Sequence, residues 1–175
     1  MYQLVTKWIA LASLPVALTL IFFPSMIIRY TFGPEYLAGA LALSVLSLGF
    51  FVHVVAGPSG DTLTAMGKTR LVMYDNVFVV VVNAMLNLIL IPRYSYLGAA
   101  VASTVGFVLM NTLYIYQVRR DFGTHPFRRS LFRPALAATA IWLALYGTAV
   151  TVTSVDRVIF LSVVAGFGLV YPVVI

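Results

Sequence analysis

Long stretches without charge govern how this chain can fold. Its Asp, Glu, Lys and Arg residues leave uncharged, mainly apolar runs at 8–28, 36–60, 76–92, 94–118, 134–155 and 158–175. A helix rises about 1.5 Å per residue, so about 17 to 25 such residues cross a hydrocarbon core about 30 Å thick. All six runs fall in that range. They lack the alternating polarity of barrel strands, and a backbone in lipid must bond its own amides, so they specify helices. The expected fold is an all-α integral membrane protein, a bundle of about six transmembrane helices. Only 11 basic and five acidic side chains serve 175 residues. That balance excludes a soluble enzyme, a disordered segment and a secreted mini-protein. With no cysteine, disulfide and thiolate chemistry are absent.

Lys7 before the first run invites a signal-peptide reading. The apolar stretch is too long for one and has no small-residue cleavage site before Arg29, so it reads as a retained span. With a cytoplasmic N-terminus, Lys7, Lys68, Arg70, Arg119, Arg120, Arg128, Arg129 and Arg133 lie inside, and Arg29, Arg93 and Arg157 lie outside. This division satisfies the positive-inside bias and predicts a multi-pass plasma-membrane protein. The segment 119–133 is then a basic cytoplasmic loop that orients the chain and meets anionic lipid headgroups. The net charge of +6 is thereby a matter of topology, and no nucleic-acid partner is expected.

Helix punctuation falls between the runs. Pro24 and Phe32-Gly33-Pro34 are expected to close the first helix, and Glu35 and Tyr36 to open the second. Gly57, Pro58 and Gly60 read either as a helix end near the headgroups or as a break that lines a cavity beside Asp61. Ile91-Pro92 is expected to end the third span, with Tyr94 and Tyr96 as interfacial anchors.

The polar inventory inside the spans is small: His53, Asn76, Asn83, Asn87 and Asn111, with Asp75 at the edge of the third span. At about 100° per residue, Asn76, Asn83 and Asn87 share one helical face. Such a stripe either bonds to neighbouring helices or lines a hydrated cavity. His53 is either satisfied by a neighbouring helix or functional. Gly98, Ala102 and Gly106, with Ala99 and Ser103 beside them, form a small-residue face that lets helices approach closely. The sequence holds no metal-ligand pair, nucleophile and base set or phosphate-cradling loop, so neither a catalytic reading nor a cofactor is expected.

The order of these landmarks resembles a known family. LPVALTLIFFPSMIIRYTFGPEYLAGALALSVLSLG, GPSGDTLTAMGKTRL and NAMLNLILIPRYSYLGAAVASTVG are together similar to the C-terminal half of Wzx-like polysaccharide biosynthesis flippases, of the multidrug/oligosaccharidyl-lipid/polysaccharide superfamily. The likeness covers roughly residues 2–120 and rests on Phe32-Gly33, Glu35-Tyr36, Gly67-Lys68-Thr69, Asn83, Asn87, Pro92 and Gly98-Ala99-Ala100 in sequence. It implies one lobe of a two-lobe alternating-access transporter. Residues 1–118 would form a four-helix membrane region, 119–133 the basic loop, and 134–175 two further spans, the last cut short. The implied substrate is a polyprenyl-diphosphate-linked oligosaccharide moved to the outer face, in contact with membrane lipid. A complementary N-terminal lobe or a second copy would complete the cavity. The residues expected to meet substrate are Asn83, Asn87, Asn76 and His53 in the cavity, and Lys68 and Arg70 at the inner mouth. The alternatives are a cation-coupled multidrug exporter lobe and a non-transporting assembly subunit.

Overall fold

A computed structural model describes residues 2–122 of the protein. The expected loop positions 123–133 and the expected spans at 134–155 and 158–175 lie outside the described residues. Among the described residues the chain is helical apart from short turns, without strands, as expected of an all-α membrane protein.

Helix α1 runs Tyr2–Phe22. The chain then bends by 83° into α2, Pro24–Thr31. Pro24 occupies the first turn of α2, where the N–H it lacks has no intrahelical acceptor. The run 8–28 is therefore not one straight crossing. Beside the bend, Ser44 Oγ donates to Ile21 O at 3.0 Å, a side-chain bond of the kind that satisfies main chain where a membrane helix is broken. Helix α2 closes where expected, with the N–H groups of Phe32 and Gly33 both donating to Ile28 O.

A 3-10 helix, Pro34–Gly39, leads into α3, Ala40–Ala56, and then α4, Pro58–Ala65. Gly57 keeps right-handed helical angles (φ −49°, ψ −40°). The Gly57-Pro58-Gly60 segment consequently does not end the helix: Pro58 sits at the start of α4, and one apolar stretch extends over Pro34–Ala65. The stop comes at Gly67, whose φ of +77° suits glycine. Lys68 N–H donates to Leu63 O and Gly67 N–H to Thr64 O, each at 3.0 Å, the paired bonds of a Schellman closure.

Helix α5, Thr69–Phe122, reverses on itself at Ser95 (φ 50°, ψ −128°). In a straight helix Asn76 and Tyr114 would lie about 57 Å apart, yet Tyr114 Oη is 2.7 Å from Asn76 Oδ1. The limbs 69–94 and 96–122 are thus an antiparallel hairpin. Its turn falls at Ser95 and not at Pro92, which lies within the first limb, and its second limb carries Arg119 and Arg120 on a last helical turn. The small-residue face makes the fold-back possible. A Cβ at Gly98 would stand 2.4 Å from Leu90 O.

Helix α3 packs against both α1 and α5, and α4 packs against α5. Ala10 and Val55 meet between α1 and α3, while Leu63 of α4 meets Tyr114 and Val118 of α5. Gly49 lets α3 approach so closely that a Cβ there would be 2.8 Å from Thr104 Cα. Thr104 Oγ1 spans the same contact to Val45 O at 3.0 Å. Outside, large apolar residues are exposed: Leu88 is 78% and Val80 65% exposed, while the polar Asn111 is 2% and Ser59 0% exposed. Large apolar residues facing outward over whole helices require lipid or another chain against them.

Gly98→Val is expected to destabilise the described bundle by about 1–3 kcal/mol, because the new side chain would push into the backbone of the opposite limb. Gly39→Ala, whose Cβ would meet only Ile28 Cδ1 at 3.9 Å, should leave stability nearly unchanged. Reversible unfolding in mixed detergent micelles measures both.

Candidate functional site

The polar residues of the spans are gathered along α5 and the facing side of α3. Two side-chain bonds cross the hairpin seam, and a third lies within the first limb. Gln117 Nε2 donates to Asp75 Oδ2 at 2.6 Å, Tyr114 Oη donates to Asn76 Oδ1 at 2.7 Å, and Asn87 Nδ2 donates to Asn83 Oδ1 at 2.8 Å. The asparagine stripe read from helical periodicity therefore lies at the seam, facing the second limb. Asn83 stands opposite Gly106, where a Cβ would come within 3.2 Å of its Nδ2. Asn83 and Asn87 are brought together, while Asn76 is held separately by Tyr114.

His53 lies on α3, about midway between Glu35 and Lys68 along the continuous stretch. Its Nδ1 is 3.2 Å from Asn111 Nδ2 on the second limb of α5. The imidazole stacks on Phe107 with centroids 4.8 Å apart and planes inclined by 20°, and Phe50 lies 6.1 Å away. Asn111 is anchored by a second bond from Nδ2 to Phe107 O at 2.6 Å. Asn111 belongs with the candidate residues although the expected substrate contacts omit it. The signal was depth. Counted from Glu35 and from the turn at Ser95, His53 and Asn111 both lie about four to five helical turns in, so the parallel packing of α3 with the second limb of α5 brings them level.

Lys68 and Arg70 stand at the opposite end of the stretch from Glu35. Lys68 pairs with Asp121 at the close of α5, tying the α4–α5 turn to the end of the hairpin. Arg70, Arg119 and Arg120 are exposed at the same end. All cations of the described helices from α2 onward lie at helix ends.

Three grooves open between the elements. One of 450 Å³ between α1 and α3 is lined by Leu20, Leu46, Phe50 and Phe107 among others. Another, of 690 Å³, contains Asp61 and Thr62 near Met66, and a third, of 410 Å³, is walled by Phe32, Tyr36 and Tyr96 with Glu35. None of Asn76, Asn83, Asn87, His53, Lys68 and Arg70 lines any of these three grooves. Among the described residues no group of His, Asp and Glu is arranged to hold a metal ion.

No family model matches the chain, and no solved structure matches it. Similar proteins include an uncharacterized membrane protein of Methanocaldococcus jannaschii, 29% identical over 108 residues, which are 59% of this chain and 20% of that protein. The teichuronic acid biosynthesis protein TuaB of Bacillus subtilis is 25% identical over 150 residues, 83% of this chain and 31% of its own length. A probable multidrug resistance protein NorM of Bacillus cereus is 29% identical over 111 residues, 59% of this chain and 25% of its own length. The chain thus spans a third or less of each of these relatives. TuaB and NorM both belong to the superfamily that the sequence resembles, so the resemblance holds over part of their length.

Breaking one interhelical bond by Tyr114→Phe or Asn76→Leu is expected to cost about 0.6–2 kcal/mol, the range for such bonds within membranes. A double-mutant cycle on the pair should return a coupling of about 1 kcal/mol, and additive losses would contradict the bond.

Proposed function

We propose that this chain forms one lobe of a multi-pass membrane transporter that exports lipid-linked oligosaccharide by alternating access. The observation that carries the reading is the combination of TuaB similarity over 83% of the chain with polar side chains inside the spans that are neutral amides rather than charges. Neutral amides suit sugar hydroxyls, which both donate and accept hydrogen bonds, and they avoid the penalty of a buried charge. In this reading the Lys68 end faces the cytoplasm of a plasma-membrane protein whose N-terminus is cytoplasmic. Lys68 and Arg70 attract the polyprenyl diphosphate there, where ammonium and guanidinium groups offer charge-assisted bonds to phosphate oxygens. Asn83 and Asn87 then contact the sugars when the seam opens toward a complementary lobe, with Asn76 and His53 on the same path. The complementary lobe, or a second copy, supplies the facing wall of the cavity.

Freeing the Asn83 and Asn87 amides for a sugar breaks the bond between them, which lies within the first limb of α5. Such a bond contributes about 0.5–1.5 kcal/mol net, small enough for a substrate to replace. Alanine at both positions matching Asn83 and Asn87 in a full-length homologue is expected to lower glycan export about tenfold, the equivalent of about 1.4 kcal/mol. Surface glycan in an export-deficient strain reports the effect, and unchanged export would remove these residues from the path.

The NorM similarity supports a second reading, cation-coupled drug export. The carboxylates available to it are Asp61, exposed in its groove, and Asp75, held by Gln117. Efflux of a fluorescent drug that is lost in Asp61→Asn and Asp75→Asn, with glycan export absent, would favour that reading.

A further inference from the structure

The His53 and Asn111 pair permits only one arrangement of protons. Asn111 Nδ2 lies 2.6 Å from Phe107 O and 3.2 Å from His53 Nδ1. A carbonyl oxygen can only accept, so the amide atom beside it is the nitrogen. The reversed amide would set two acceptors against each other. The second N–H of the same amide then points at Nδ1, which must accept. A neutral imidazole that accepts at Nδ1 carries its proton on Nε2.

The surroundings hold that state in place. Asn111 is 2% exposed, and its Oδ1 is buried without a partner. Turning the amide to offer Oδ1 to the ring would give up the bond to Phe107. Stacking on Phe107 fixes the plane of the imidazole. His53 Nε2 is not among the side-chain atoms buried without a partner, and no bond to it from a described residue is present. It therefore reaches the surface of the helix pair. At mid-span, lipid chains offer no acceptor for such a proton.

We infer that His53 is a neutral Nε2–H donor, oriented by Asn111, for an oxygen acceptor on the transported molecule. The inference rests on the reading of the chain as a transporter lobe. The acceptor is a diphosphate oxygen or a sugar hydroxyl, which share this chemistry. His53 is the binding residue and Asn111 a positioning residue, acting through the tautomer it selects.

Nitrogen NMR of the full chain, labelled at histidine and held in phospholipid nanodiscs, tests the assignment. The chain has two histidines, His53 and His125, and His125→Gln isolates the signal of His53. The expected wild-type spectrum has a protonated Nε2 and a bare Nδ1. Asn111→Asp should invert it, because a carboxylate accepts from Nδ1–H, while Asn111→Leu should leave a mixture of tautomers. Farnesyl diphosphate and a glucosyl diacylglycerol are then added to separate nanodisc samples. A saturable shift of the Nε2 signal with the first identifies diphosphate as the acceptor, and with the second identifies sugar. A wild-type Nδ1–H tautomer overturns the proposal, as does an Nε2 signal that neither probe moves. Either failure leaves the export reading standing, since glycan export is measured separately.

Discussion

Lipid offers no hydrogen bonds, and most polar groups of the described helices find partners within the chain. The main chain satisfies itself by staying helical through most of residues 2–122. Where the helices bend or pack most closely, side chains take over: Ser44 bonds Ile21 O beside the bend at Phe23, and Thr104 bonds Val45 O where α3 and α5 meet. Removing the hydrophobic contrast between protein and solvent also changes what holds the helices together. Association then depends on close packing of small residues and on bonds between helices. Gly49, Gly98 and Gly106 occupy such contacts.

The same constraint sorts the charges. Lys68, Arg70, Arg119 and Arg120 gather at one end with Asp121, and Arg29, Arg93 and Glu35 lie at the other. Between them the interior relies on neutral polar groups. Asn83 bonds Asn87, Asn76 bonds Tyr114 and His53 bonds Asn111. A neutral pair costs far less to bury than a charge, yet it can exchange partners with a molecule passing through. On the proposed reading, a lobe made this way recognises hydroxyl-rich cargo without a fixed charge at mid-depth, and leaves stronger electrostatics to its ends.

Much of the fold was legible because apolar run length and glycine or proline punctuation are local signals. The closure of α2 at Phe32-Gly33-Pro34 came from such signals, as did the helical segments on either side of Gly67 and the close contact at Gly98. Errors arose where local signals conflict with continuity. Pro58 reads as a helix stop or as a break beside Asp61, but Gly57 keeps helical angles and Pro58 opens α4, so one apolar stretch runs from α3 into α4. Pro92 reads as the end of a span, but the reversal waits for Ser95. The stripe of Asn76, Asn83 and Asn87 was legible from the helical period. Its partners were not, because Tyr114 lies 38 residues from Asn76 along the chain.

The sequence by itself determined that this is an all-α membrane protein, and that the cations of the described helices from α2 onward sit at helix ends, since these follow from run length and the price of charge in lipid. Only the tertiary structure decided which polar groups meet. The hairpin register turned Asn83 toward Gly106, and the packing of α3 on α5 placed Asn111 against His53, thereby choosing which imidazole nitrogen accepts. Such pairings depend on the angle and offset between helices, and helical period within one segment carries no record of either.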